Sequence, residues 1–356
     1  MTRGDRQEWI SSVYLRIKEI NAMPTNNQRN KLISEITAEI TFMYYHNILN
    51  GTEYRNLLEK ISLNEERKLS LKEKDAAARM MGYHSENLTD LYSKVRLLYE
   101  KNPSHYYNFS FNDGDMREAF INFLEYVGCR DLYESIKNNN MFLIGANKIK
   151  KGNPGLCIPK RDLSYIILGQ NPKASFEYYI NLIYEIAFAY VNKILYSDKL
   201  SFEQYKCYYY FIPPTFCRIF IDFLMKKKVF DVTKLRLMRI NNEMLNYEKI
   251  LDAEEVSSYI ARKGQKVTDS KKYEEIIKRV GKDITPFVNQ EALGIIASFK
   301  LFSDYQNDPE DFILDLGYII KKMRKLPLQK LIESHCSVES AQEIIEENLG
   351  RSYIKK

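Results

Sequence analysis

The stretch that most constrains this chain runs from Phe176 to Leu195, twenty residues without a glycine or proline. It is long enough for about five helical turns and holds nothing that would break them. Apolar side chains fall on nearly every face, which predicts a helix buried on all sides rather than one lying on a surface. One acidic residue, Glu185, sits in its middle. A carboxylate in such a place must be paired, protonated or functional, because an isolated buried charge is too costly.

A chain of 356 residues can bury a sizeable core in one large domain or two smaller ones. The net charge of +6 is spread through interleaved basic and acidic residues, so it gives no ground for a nucleic-acid partner. Tyrosine (27) and phenylalanine (18) are abundant against a single tryptophan. An aromatic peptide groove is one reading of that excess; a coding bias toward Lys, Asn, Ile and Tyr is the other. The five cysteines are scattered and form no Cys-x-x-Cys spacing, as expected of reduced, buried thiols in a cytoplasmic protein. Met1 to Asp5 is polar, with no leader visible, and no apolar run approaches the roughly 18 residues of a membrane span. The expected setting is the cytoplasm, without membrane partners.

Helical periodicity covers most of the sequence. Trp9, Ile10, Val13, Tyr14, Ile17 and Ile20 predict a helix over 7–22, and Leu32, Ile33, Ile36, Ile40, Met43 and Tyr44 a second over 27–49. Asn26 or Asn27 can cap the second helix, and Asn50 with Gly51 closes it. This pair suggests an N-terminal unit over 1–60, followed by a larger helical domain over 61–356. Helices are predicted over 52–80, 86–100 and 114–137. Glycines and prolines then interrupt the chain from 138 to 175, and the apolar runs 141–144 and 165–168 suit two short strands. Gly152-Asn-Pro-Gly155 lacks the Gly-Lys-Ser/Thr ending of a phosphate loop and reads as a turn. Beyond the central helix, Pro213 and Pro214 suit the entry of a helix over 215–228. Further helices are expected over 231–263, 270–280, 286–305, 308–323 and 338–349.

The order of these segments resembles the peptidase-bearing part of the oligoendopeptidase F and thimet-type zinc metallopeptidases. Ala76 to Tyr83 resembles the family's Ala-x-x-Arg-x-Tyr helix end, and Lys151 to Cys157 its glycine-containing turn. Tyr165-Ile-Ile-Leu168 resembles the edge strand that precedes the metal helix. Ala292-Leu-Gly-Ile295 resembles the helix lining the substrate cleft, and Asp308 to Leu331 the closing helices. The resemblance spans roughly 60–350. It implies a mainly α, zincin-like helical metallopeptidase-type domain with a small β element near 141–168.

In that family the central helix carries His-Glu-x-x-His, whose imidazoles bind zinc while the glutamate activates the metal-bound water. The corresponding residues here are Tyr184, Glu185, Ile186, Ala187 and Phe188. The glutamate remains and both imidazole positions are aromatic. Where the resemblance places the third ligand, a glutamate, stand Pro213 and Pro214. Glu291 replaces a cleft tyrosine, Thr285 stands near the place of an expected histidine, and Phe287 fills another tyrosine position without its hydroxyl. A catalytic zinc site needs three protein ligands. The four histidines (His46, His84, His105, His335) are far apart in sequence, with no i, i+4 pair among them. No cofactor and no catalytic metal are therefore expected by the family's mode. Glu185 reads either as a carboxylate satisfied by tyrosine hydroxyls or a nearby Lys or Arg, or as a metal-free acid or base of raised pKa. Cys157 and Cys217 have no identifiable histidine partner and read as inert buried thiols.

The expectation is a pseudo-peptidase that holds a peptide or partner protein, with its cleft lined by Tyr184, Glu185, Phe188, Tyr208, Tyr209, Tyr210, Phe287 and Glu291. An active zinc oligopeptidase with ligands elsewhere, and a helical regulatory adaptor acting through its outer surface, are the alternatives.

Overall fold

Local chemistry sets the first helix boundaries. In a computed structural model, which describes residues 3–61, 92–97, 99–100, 113–149, 155–169, 176–196, 211–261 and 284–323, the chain opens with α1 (Arg3–Ala22) and α2 (Asn27–Tyr45). The Asn26 side chain accepts from the Arg29 amide and starts α2. Asn50 does not close α2. It is the N-cap of a third helix, α3 (Gly51–Lys60), and forms a reciprocal capping box with Glu53. The expected N-terminal pair is thus a trio. Asn and Gly are ambiguous punctuation, serving helix starts as well as helix ends.

Helix α2 is buried on two sides. Ile36 and Ile40 join Val13, Ile17, Ile20 and Leu57 in a cluster with α1 and α3, while Ala38 and Phe42 enter the main core. Two residues along a helix turn through about 200°, so these two sets lie on opposite faces. Phe42 stacks on Tyr165 at 4.2 Å, and Lys148 donates to the carbonyls of Tyr44 and Leu49.

The single helix expected over 114–137 is two, α4 (Asp113–Tyr126) and α5 (Arg130–Asn138). Gly128 has φ +71°, a left-handed conformation that ends α4 and that a side-chain-bearing residue adopts only with strain. The expected strand pair is a three-stranded sheet: β1 (Phe142–Ile144), β2 (Gly155–Lys160) and β3 (Leu163–Leu168), in the order β1-β3-β2. β1 pairs parallel to β3 and β2 antiparallel to it. Tyr165 to Leu168 is therefore the centre of the sheet and not its edge. The edges are β1 and β2, and in β2 Gly155 and Pro159 read as turn signals in the sequence. The Arg161–Asp162 turn that joins β2 to β3 is held from below by Asn192, whose amide donates to the carbonyls of Arg161 and Leu163, each at 2.9 Å.

Helix α6 (Phe176–Tyr196) packs against β2 and β3 on one side and against α7 (Ile212–Lys227) on the other. Fourteen of its residues are buried, among them Glu185, as its unbroken apolar sequence requires. α7 begins with Pro213 and Pro214 in its first turn, where a missing N–H costs nothing. α8 (Val232–Ala261), α9 (Ile284–Asn307) and α10 (Pro309–Met323) complete the described chain. α9 packs on both α7 and α8. The core is strongly aromatic: Phe123 of α4 meets Phe216, Phe220 and Phe223 of α7. A smaller cluster joins Tyr247 and Ile250 of α8 to Ile295, Ile296 and Phe299 of α9 and to Val95. The helix expected over 52–80 ends at Lys60, where Ile61 is the C-cap, and the rest of that range lies outside the described residues. Of the helix expected over 86–100, residues 92–97 and 99–100 are helical, and the helices expected over 270–280 and 338–349 lie outside the described residues.

Candidate functional site: the Tyr184–Phe188 face of α6

Residues 184 and 188 are one helical turn apart and share a face of α6. Their rings meet edge to face at 5.4 Å, and both residues are half-buried. The Lys249 ammonium of α8 lies over the Tyr184 ring, 4.9 Å from its centroid, a cation–π contact that brings a positive charge to this face. Glu185 points elsewhere and is 3% exposed. Its Cγ packs against Gly155 of β2 so closely that a Cβ there would sit 3.0 Å from it, 2.8 Å from Leu168 Cδ2 and 2.9 Å from the Ile167 carbonyl oxygen. Gly155 is thus needed for the close approach of strand and helix, not for a turn.

Two thiols report the charges near Glu185. Cys157 of β2 keeps some exposure as a residue, yet its thiol is enclosed; burial and then the Glu185 charge push its pKa up. Burial also pushes the Cys217 thiol of α7 up, to about 12, against the opposing pull of the Lys249 and Arg218 cations. These thiols are not activated. Cys129, fully buried at the start of α5, is also pushed up by burial. None has the low-pKa surroundings of a nucleophile.

Where α7, α8 and α9 meet lies a buried ion pair. Arg218 of α7 donates to both carboxylate oxygens of Glu243 on α8, at 2.8 and 3.0 Å, and also to Ser298 of α9. Its guanidinium stacks 3.8 Å from the centre of Phe299. A shallow pocket at this junction is walled by Arg218, Glu243, Asp222, Arg239 and Phe302. Several of those walls are already satisfied, since Asp222 accepts from Tyr305 and Lys226.

Of the expected site residues, Tyr184 and Phe188 meet on one face of α6, whereas Glu185 is buried on another side of the helix against β2. Phe287 and Glu291 lie in the first half of α9, and their side chains are outside what the structure describes; Tyr208, Tyr209 and Tyr210 lie outside the described residues altogether. His46 is the C-cap of α2, with its ring edge to face on Phe42. Among the described residues, no group of three or more His, Cys, Asp or Glu side chains is placed to hold a metal ion. The participants that sequence reading missed are Lys249 and Gly155. Lys249 carries no local signal in a long polar helix, whereas Gly155 was visible but looked like a loop residue.

No protein-family profile matches the sequence, and neither does any curated protein. The fold, mainly helical with one small sheet against its central helix, is an oligoendopeptidase-like helical fold. The particular likeness is to a crystal structure from Bacillus anthracis str. Ames that carries the oligoendopeptidase F designation. The two superpose with a TM-score of 0.54 at 10% identity, over 98% of this chain and 79% of that one. At that identity the likeness establishes the scaffold. No helix among the described residues is long and apolar enough to cross a membrane.

Proposed function

We propose that this protein is a pseudo-peptidase: a metallopeptidase-type scaffold that holds a peptide, or a segment of a partner protein, without cutting it. The observation that supports this reading is the pair of aromatic rings at 184 and 188, in contact with each other and with a lysine, at the two positions where the resemblance to the metallopeptidases implies imidazoles. A phenyl ring offers zinc no donor atom, and a phenol is not among its usual ligands, which are thiolate, imidazole and carboxylate. They are well suited to pack against side chains and peptide planes. The edge strand β2, which pairs with no other strand than β3 among the described residues, offers a neighbouring row of backbone groups for an extended chain. The cleft functions in the cytoplasm, without a cofactor, and its partner is a peptide or protein rather than a nucleic acid or a membrane.

Metal analysis of the purified protein, run beside a cleavage assay on a pool of short fluorogenic peptides, tests the reading. The expected result is substoichiometric zinc and no chelator-sensitive cleavage, with saturable binding of peptides from the same pool. Stoichiometric zinc, or cleavage abolished by a chelator, would overturn it.

A further inference from the structure

Helix α8 presents one face to the main core and another to the smaller cluster it shares with α9. Leu235 and Met238 lie in the main core, whereas Tyr247 and Ile250 lie in the smaller cluster. Following the first face along the helix at steps of three and four residues leads from 235 and 238 to Asn242, Asn246 and Lys249. At its far end is the lysine that lies over Tyr184. Asn242 is 4% exposed and Asn246 6% exposed. In both, the side-chain Nδ2 is buried and makes no hydrogen bond among the described residues.

Two orphaned amide donors on one helix face call for an account. A carboxamide nitrogen carries two N–H groups, and leaving such a donor buried and unpaired costs about 1–3 kcal/mol. A core position with no other role favours an apolar residue. Here the cost is incurred twice, one turn apart, on the helix face that ends at the lysine over Tyr184. Both groups lack the same thing, a hydrogen-bond acceptor.

We propose that Asn242 and Asn246 are the subsite that receives main-chain carbonyl oxygens of a bound, extended peptide. This deepens the peptide-holding reading above and rests on it. The spacing agrees. Four residues along a helix advance about 6.0 Å, and carbonyls pointing the same way along an extended chain recur about every 6.7 Å. Donors matched to main-chain carbonyls take hold of a peptide whatever its side chains, leaving selection to the aromatic pair. The Lys249 ammonium marks where the strip meets the Tyr184–Phe188 face.

The test uses the full-length protein, a fluorescein-labelled pool of random octapeptides, and anisotropy to read binding. Asn242→Leu and Asn246→Leu replace the donors with apolar groups of similar size. Each is expected to weaken binding about tenfold, the equivalent of one lost buried hydrogen bond. The thermal midpoint stays the same or rises, because an unpaired buried donor has been removed. A residue that matters only for packing would not give lower affinity together with equal or higher stability. Should a leucine variant fold poorly, Asn242→Ala and Asn246→Ala make the same comparison with less bulk. A pool with amidated C-termini is expected to bind as well as the free one. If the variants bind like the wild type, or if amidation alone abolishes binding, the assignment to main-chain carbonyls is wrong while peptide holding stands. If the wild type binds no pool, both readings fail.

Discussion

Removing Arg218 while leaving Glu243 in place is the sharpest perturbation of this fold. The Arg218 and Glu243 side chains are 3% and 8% exposed, and the guanidinium makes two charge-assisted bonds to the carboxylate, a third bond to Ser298, and a stacking contact with Phe299. In Arg218→Met the apolar stem is largely kept, but Glu243 is left as a buried carboxylate without its counter-ion. Breaking a buried pair in this one-sided way costs about 3–5 kcal/mol. Loss of the cation–π contact adds about 1 kcal/mol. Replacing both partners, as in Arg218→Met with Glu243→Met, removes the orphan charge along with the attraction and is expected to cost far less, about 1 kcal/mol or under. Arg218→Lys falls between, because an ammonium cannot make the bidentate contact. Equilibrium urea unfolding followed by circular dichroism reads all three. The reasoning is refuted if the single variant costs under about 1 kcal/mol, or if the double variant costs as much as the single.

Three further outcomes follow from particular contacts. Gly155→Ala places a methyl group against Leu168, the Ile167 carbonyl and Glu185, so a loss of about 1–3 kcal/mol is expected in thermal unfolding. A change within error would mean that strand and helix separate more easily than their packing implies. Cys217, its thiol pushed up to about 12, is expected to resist iodoacetamide at pH 8 until denaturant is added. Its raised pKa contributes stability that is complete below the unfolded thiol value of about 8.5 and is lost as pH rises toward 12; Cys217→Val should flatten that decline. Glu53 is held below the usual carboxylate value by the Asn50 amide and then by Arg6. Its contribution, under about 1 kcal/mol for a part-exposed pair, is present above the unfolded value of about 4.3. That contribution is lost as pH falls through the lower folded value, so Glu53→Gln should show a shallower acid limb in melts between pH 3 and 7.

What could be read from the sequence differs from element to element for physical reasons. α6 was legible because a long apolar run without Gly or Pro has one stable outcome, and Pro213 and Pro214 marked the entry of α7 because proline tolerates only a first helical turn. The break between α4 and α5 was passed over although Leu132, Tyr133 and Ile136 fall about half a helical turn out of phase with Phe120, Phe123 and Val127; a list of apolar residues read without following their angular phase does not register that shift. β2 was hidden because Gly155 and Pro159 mimic turn residues; a glycine chosen for close approach to Glu185 looks the same in sequence as one chosen for a bend. Tyr184, Glu185 and Phe188 could be singled out because they share one helix. Lys249, Asn242 and Asn246 could not, since their significance comes from what faces them, and no spacing within α8 records that.

The stacking of Phe42 on Tyr165, with Glu35 bonded to Arg161 and Lys148 reaching back to the end of α2, has a consequence for how the molecule comes apart. The first sixty residues are a wall that the sheet leans on, so they do not detach as an appendage would. A chain lacking them would bare the flank of the central strand and tend to self-associate, and the intact chain should melt over this region in one cooperative step.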